Sequence, residues 1–165
     1  MNKKNIKILD SDTDGQALVN LLADGCPFVL NVTGSSMLPL LKSGRDSVWL
    51  RKSDTIRKGR ILFFQRDNGN FVLHRVRRIL PDGRYIVNGD AQAWLETVRP
   101  DQVAAVVTQI IRKGKVLRWD HPLLRLWDIL WYPTRPIRPF LFRFYVVFSK
   151  IIHSVRHNTF PILRR

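Results

Sequence analysis

The feature that most constrains the fold is a series of short β-like segments separated by strong turn signals. Turns are predicted at Asp67-Asn68-Gly69, Pro81-Asp82-Gly83 and Lys113-Gly114, because these residue types favour tight-turn backbone conformations. The segments between them are rich in β-branched and aromatic residues, which favour strands. Strands are predicted at residues 27–32, 46–52, 60–65, 70–80, 84–88, 103–112 and 115–119. This pattern predicts a mainly β protein with a compact, largely antiparallel domain that closes on itself.

The two ends of the chain differ from this β-rich middle. Before Asp24-Gly25, apolar residues recur with helical spacing after several possible N-cap residues, which predicts an N-terminal helix. From His121 onwards the chain becomes aromatic, basic and interrupted by prolines. Three parts are therefore predicted, namely an N-terminal polar segment and helix (1–26), a β-rich domain (27–120) and a basic amphipathic aromatic tail (121–165).

The predicted tail carries much of the positive charge. The formal net charge of the chain is +15, and +7 of it falls within residues 121–165. Arg143 and Lys150 lie seven residues apart, on one side of a helix, which leaves a broad apolar face. Trp, Tyr and Arg together suit a bilayer interface, so we expect the tail to bind an anionic membrane surface. Packing on a protein core or partner is the alternative, and nucleic-acid binding is the least favoured.

Other features narrow the class of protein. A single cysteine, Cys26, excludes an intramolecular disulfide, and the scattered histidines lack metal-site spacing, so no metal or cofactor is expected. The polar opening of the chain does not resemble a secretory signal. No window of about 18 apolar residues occurs, so no spanning helix is expected. The expected location is the cytoplasm or the periphery of a membrane.

A serine follows a glycine turn at the end of the first predicted strand. Gly34 tolerates positive φ and so permits a turn before Ser36, although most serines beside glycine are ordinary turn residues. A serine hydroxyl needs a neighbouring base to become nucleophilic near neutral pH. His74 is the best candidate, on one strand face with Val72 and Val76. A histidine on an apolar face is also compatible with a hydrogen-bonded core residue.

Five short segments follow one another in order along the chain. They are Gly34-Ser35-Ser36-Met37-Leu38-Pro39, Gly44-Arg45-Asp46-Ser47-Val48, Lys58-Gly59-Arg60-Ile61-Leu62-Phe63-Phe64, His74-Arg75-Val76 and Asn88-Gly89-Asp90-Ala91. As an ordered set they resemble the boxes of the type I signal peptidase superfamily, which also includes the self-cleaving repressor peptidases. In that family the serine preceding Met is the nucleophile, which corresponds to Ser36. The base is lysine in the common bacterial and repressor-type branches. His74 at this position resembles the endoplasmic-reticulum-type and archaeal-type branch instead.

The resemblance implies a serine endopeptidase of the signal peptidase I type that cleaves a leader or signal-type peptide. In this scheme Ser36 attacks, His74 transfers the proton, and either Asp90 or Glu96 orients the imidazole. The peptide would pair along a β edge beside the serine. Residues expected to stabilise the oxyanion or contact the substrate are Ser35, Thr33 and Met37.

Some residues depart from the family pattern. Arg60 follows Gly59 where aspartate is usual, Arg45 separates Gly44 from Asp46, and Leu40 stands where threonine is frequent. These departures leave open a catalytically inactive factor that binds or assembles at a membrane surface on the same scaffold. A DNA-binding repressor is disfavoured, because only about 30 residues precede the serine and the base position lacks lysine.

Overall fold

The structure is a computed structural model that describes residues 8–9 and 27–144 of the chain. Within these residues, nine strands form a single sheet with the order β1-β2-β3-β8-β4-β5-β6-β7, and β9 pairs with β8. Among the described strands, β1 and β2 alone run parallel, and the other pairs are antiparallel. The strands are β1 (Ile8–Leu9), β2 (Phe28–Asn31), β3 (Asp46–Arg51), β4 (Ile61–Gln65), β5 (Phe71–Ile79), β6 (Tyr85–Asn88), β7 (Glu96–Val98), β8 (Val103–Arg112) and β9 (Lys115–Arg118).

The predicted mainly β, antiparallel domain is confirmed. Each of the seven predicted strands corresponds to an observed strand with ends that agree within one residue. Two strands were missed, β1 and β7, because two or three residues are too few to show a periodic pattern. The strand order has two ends, so the sheet formed by the described residues does not close on itself as expected. The predicted N-terminal helix lies outside the described residues.

The sheet buries apolar side chains in two clusters. Successive strand residues point to opposite faces, so neighbours on β4 separate into different clusters. Phe63 belongs to the larger cluster, whereas Leu62 and Phe64 belong to the smaller one with Val76. The larger cluster also takes up Met37, which follows the candidate nucleophile directly. The turn that carries this serine is therefore anchored in the core.

One α-helix, α1 (Pro122–Trp131), follows the sheet and is continued by a 3-10 helix, Tyr132–Ile137, and by helical residues 138–144. The His121 side chain caps the start of α1 by accepting a hydrogen bond from the backbone N–H of Leu123. Leu124 is buried in the larger cluster, and Trp127 packs against it. The described beginning of the predicted tail therefore covers part of the β domain. None of the helices in residues 27–144 is long and apolar enough to cross a membrane.

Candidate active site

Ser36 lies in the turn that follows β2. Gly34 has a φ of 74°, as the sequence predicted, which is a left-handed conformation that favours glycine. The backbone N–H of Leu38 donates a hydrogen bond to the carbonyl of Ser35 at 3.1 Å. Met37 is buried, whereas Ser35 is exposed and Ser36 is half-buried. The turn therefore fixes the Ser36 backbone between a core anchor and the surface.

A cleft of about 330 Å³ separates this turn from the beginning of β5. Its lining is mainly apolar and includes Val32, Ser36, Met37, Phe63, Phe71 and Leu73. β5 pairs with β4 along residues 71–75, but its pairing with β6 begins only at Arg75. In the part of the chain described, no strand covers the second edge of residues 71–73. Unpaired backbone groups on such an edge can hydrogen-bond an extended peptide.

The buried His74 pairs with the half-buried Glu96. The imidazole is 1 % exposed, and its ring meets the ring of Phe64 edge-on at 5.9 Å. Its Nδ1 is hydrogen-bonded to Oε1 of Glu96, and the guanidinium of Arg66 donates to both oxygens of the same carboxylate at 3.0 and 3.1 Å. These contacts connect β5 to β7 and to the turn after β4.

The ionisation of Glu96 determines which imidazole nitrogen carries the proton. Burial opposes ionisation, but hydrogen bonds from His74 and Arg66 outweigh it and lower the pKa of Glu96 to about 2. An ionised carboxylate only accepts hydrogen bonds, so Nδ1 of His74 must be the donor. In the neutral ring, Nε2 is then the nitrogen that can accept a proton.

Nε2 of His74 is buried and has no hydrogen-bond partner among the described residues. The hydrogen bond between Nε2 and the Ser36 hydroxyl is therefore not formed in this structure, and His74 does not line the cleft beside Ser36. Catalytic hydrogen bonds are often long outside the substrate complex. The roles of Ser36 as nucleophile and His74 as base stay predictions.

The turn at residues 88–92, here called the Gly-Asp turn, packs directly against Ser36. The backbone N–H of Ala91 donates to the carbonyl of Ser36 at 2.8 Å. A Cβ atom at Gly89 would lie 2.7 Å from that same carbonyl oxygen, closer than real Cβ contacts come. The fifth predicted box therefore lies against the first, and glycine is required at their contact.

Comparison with known proteins identifies the family. A family model described as Peptidase S24-like matches residues 6–111, which is more than half of the chain. The chain belongs to the Peptidase S24-like family. No curated protein sequence gives a significant match. The family lies in the clan that holds repressor-type and signal-peptidase-like serine peptidases, so this chain carries an S24-like serine peptidase domain, a serine hydrolase.

In this S24-like domain, Asp90 contacts arginines rather than the candidate base. Its buried carboxylate accepts two hydrogen bonds from Arg75, at 3.1 and 2.7 Å, and one from Arg77 at 2.9 Å. Burial alone would raise the pKa of Asp90, but the neighbouring guanidinium groups outweigh it and lower the pKa. Of the two acids that the sequence left open, only Glu96 contacts His74. Because Arg75 follows His74 directly, the Asp90 ion pair also ties the Gly-Asp turn to β5.

Sequence reasoning missed Arg66, which donates to both carboxylate oxygens of Glu96, including the oxygen that contacts His74. Arg66 lies immediately after β4, in the predicted turn region, and Glu96 is thirty residues further along the chain. No motif links residues at this separation. The remaining predicted site residues, Thr33, Ser35 and Met37, all line the cleft beside Ser36, while their roles toward a substrate stay predictions.

Arg60 and Arg45, two of the residues that depart from the family pattern, contact other side chains of the domain. The guanidinium of Arg60 is buried and lies 4.1 Å from the centre of the Trp119 ring. Arg45 donates two hydrogen bonds to the carboxylate of Asp46, at 2.9 and 2.7 Å, and Arg112 binds the same carboxylate. Arg60 and Arg45 therefore contact residues of the scaffold, and neither forms a hydrogen bond with His74 or Glu96.

Proposed function

We propose that this S24-like domain is a serine endopeptidase that cleaves a leader or signal-type peptide, with Ser36 as nucleophile and His74 as general base. The observation that carries the proposal is the contact between the buried His74 and the half-buried Glu96, in which a carboxylate holds Nδ1 and leaves Nε2 as the basic nitrogen. A histidine oriented in this way favours the branch that resembles endoplasmic-reticulum-type and archaeal-type signal peptidases. The repressor-type branch, with lysine as base, is less favoured.

The proposed reaction begins when an extended peptide pairs with the free edge of residues 71–73 and crosses the cleft. Nε2 of His74 takes the proton from Oγ of Ser36 as Oγ attacks the scissile carbonyl, which requires the two atoms to approach to about 3 Å. His74 then gives this proton to the leaving amine, and an ester to Ser36 remains. Water, deprotonated by His74, attacks the ester, and the bond to Oγ breaks as His74 returns this proton to Oγ of Ser36 and the acid product leaves. The Ser36 backbone N–H and the hydroxyl of Ser35 or Thr33 are the proposed oxyanion donors.

Labelling with a fluorophosphonate probe tests the proposal. The wild-type chain is expected to gain one adduct on Ser36, and Ser36→Ala to gain none. His74→Ala should slow labelling by about 10²–10⁴-fold, the usual contribution of a general base. Ser43→Ala is the matched control, because Ser43 is an exposed loop serine that should not affect labelling. The assignment of Ser36 as the nucleophile would be refuted if folded wild type and Ser36→Ala were labelled equally, or if neither protein were labelled.

We also infer that the C-terminal segment binds an anionic membrane surface, which places the enzyme in the cytoplasm or at the membrane periphery. Two observations support this inference, an exposed apolar surface on helical residues 122–144 and a +7 charge within residues 121–165. Apolar side chains beside cations match the acyl and headgroup layers of an anionic bilayer. The exposed side chains, here called the apolar strip, are Leu123, Leu126, Ile129, Leu130, Ile137, Phe140, Leu141 and Phe144.

A membrane-surface binding or assembly factor without turnover is the second candidate function. The missing hydrogen bond between Ser36 and His74, together with the apolar strip, favours it. The probe experiment separates the two candidates, because a non-catalytic factor would bind vesicles while Ser36 stays unlabelled.

A further inference from the structure

The Gly-Asp turn is held from its outer side by an arginine beyond the family match. Arg138 is 0 % exposed and lies at the end of the 3-10 helix. Its Nη1 donates to Oδ1 of Asn88 at 2.8 Å, to the carbonyl of Gln92 at 2.9 Å and to the carbonyl of Gly89 at 3.3 Å. Its Nη2 donates to the carbonyl of Trp131 at 2.9 Å. One guanidinium thus links the two ends of the turn to α1.

Two further side chains of α1 contact the same region. Nε1 of Trp131 donates to the backbone carbonyl of Asp90 at 2.7 Å. The carboxylate of Asp128 forms ion pairs with Arg77 and, at 3.4 Å, with Arg75, the two arginines that hold Asp90. The C-terminal segment therefore contacts both the backbone of the turn and the arginines beneath it.

The inner side of the same turn contacts the candidate nucleophile, through the hydrogen bond from Ala91 to the Ser36 carbonyl. The turn thus lies between a buried cation and the Ser36 backbone. Burying a guanidinium is unfavourable unless its donors find acceptors, and here backbone and amide oxygens accept from Nη1 and Nη2, while Nε has no partner among the described residues. Burial lowers the pKa of Arg138 to about 10, so the side chain remains charged near neutral pH.

We propose that Arg138 is a positioning residue for Ser36, acting through the Gly-Asp turn. The inference rests on the proposed function, because it concerns how the proposed nucleophile is held. By this inference, residues 122–138 contribute to the activity of the peptidase, although the family match ends at residue 111. A shift of the turn would move both the Ser36 hydroxyl and the Ser36 N–H, and a misplacement of about 1 Å can cost about 10²-fold in rate.

The first test compares full-length Arg138→Met and Arg138→Lys with Arg51→Met, which removes an exposed arginine at the end of β3. Arg138→Met should slow probe labelling and lower kcat for peptide cleavage by about 10–10²-fold, while KM for the peptide changes less than about twofold. Arg138→Lys should fall between Arg138→Met and wild type, because lysine keeps the charge without the planar fork. Arg51→Met should match wild type. A wild-type labelling rate in folded Arg138→Met would overturn the inference.

The second test does not depend on catalysis. Hydrogen exchange of the Ala91 amide should become at least about tenfold faster in Arg138→Met and stay unchanged in Arg51→Met. Unchanged Ala91 exchange would overturn the inference even if activity fell. If the wild-type chain fails to label, the proposed function is wrong, whereas Ala91 exchange still decides whether Arg138 holds the turn.

A milder variant covers the case in which Arg138→Met does not fold. Trp131→Phe keeps an aromatic ring against Trp127 but removes the hydrogen bond to the Asp90 carbonyl. It should slow labelling and speed Ala91 exchange by about threefold or more, in the same directions as Arg138→Met. Wild-type values for both measurements would overturn the inference.

Discussion

At the scale of single residues, the central feature is the Glu96 carboxylate, which accepts hydrogen bonds from two different side chains. Glu96 receives the imidazole of His74 on one oxygen and the guanidinium of Arg66 on both. Because Arg66 restrains the carboxylate, Glu96 offers a fixed acceptor that selects one tautomer of His74. The same two contacts lower the pKa of Glu96 to about 2, so its carboxylate stays ionised at pH values below the ordinary pKa of 4.5.

This ionisation predicts an acid-sensitive contribution to stability. The pKa of Glu96 is about 2 in the folded chain against an ordinary value of 4.5, so its contribution is complete above about pH 4.5 and is lost as the pH falls toward 2. The loss is at most about 3 kcal/mol. In urea titrations, Glu96→Gln should show a weaker decline of the unfolding free energy between pH 5 and pH 2 than wild type. Asp54→Asn, at an exposed position, should decline like wild type. Equal slopes for all three chains would contradict the assignment.

At the scale of elements, the site depends on two turns that touch. The turn after β2 carries Ser36, and the Gly-Asp turn after β6 closes against its carbonyl. The close approach leaves no room for a side chain at Gly89, whose Cβ would also lie 2.7 Å from Oε1 of Gln92. A side chain at Gly89 would displace the backbone beside Ser36, so the close contact matters more for the site than for the fold.

Gly89→Ala is therefore expected to displace the Ser36 backbone. We expect a loss of about 1–3 kcal/mol in unfolding free energy and about a 10²-fold slower labelling of Ser36. Gly69→Ala is the matched control, because Gly69 has a φ of 84° but open space around its Cβ position. It should cost about 1 kcal/mol through backbone strain and leave the labelling rate unchanged. Similar labelling rates in both variants would show that the contact does not position Ser36.

At the scale of the whole molecule, the C-terminal segment has two faces with different surroundings. Leu124, Trp127 and Trp131 face the β domain, while the apolar strip remains exposed. Residues three and four apart share a helix face, so Leu126 lies beside Leu123, Ile129 and Leu130. A continuous exposed apolar surface of this kind indicates an interaction site.

Vesicle sedimentation of the full chain tests the proposed membrane site. Binding to phosphatidylcholine vesicles that contain about 30 % phosphatidylserine should exceed binding to neutral vesicles and should weaken as salt rises from about 0.1 to about 1 M. Leu126→Glu should weaken binding at least about fivefold, because it places a charge within the apolar strip. Val116→Glu, at an exposed position on β9, makes the same change of charge elsewhere and should bind like wild type. Equal binding by both variants would exclude the apolar strip as the contact.

Much of the fold could be predicted because strands depend on local pattern. The strand period of two placed His74 on one face with Val72 and Val76, and in β5 Val72 and Val76 do pack in one apolar cluster. The order of the boxes likewise indicated the serine peptidase clan. β7 was missed because its three residues contain little local signal, although it contributes Glu96.

The sequence alone determined seven of the nine described strands, their turns, the serine at a glycine turn and the excess of positive charge near the C-terminal end. These properties depend on neighbouring residues, for which backbone preference and side-chain periodicity are sufficient. Only the tertiary structure decided that Glu96 rather than Asp90 contacts His74, and that Arg138 donates hydrogen bonds to the Gly-Asp turn. Buried charges select their partners by desolvation and hydrogen-bond geometry between distant parts of the chain, which no local pattern encodes.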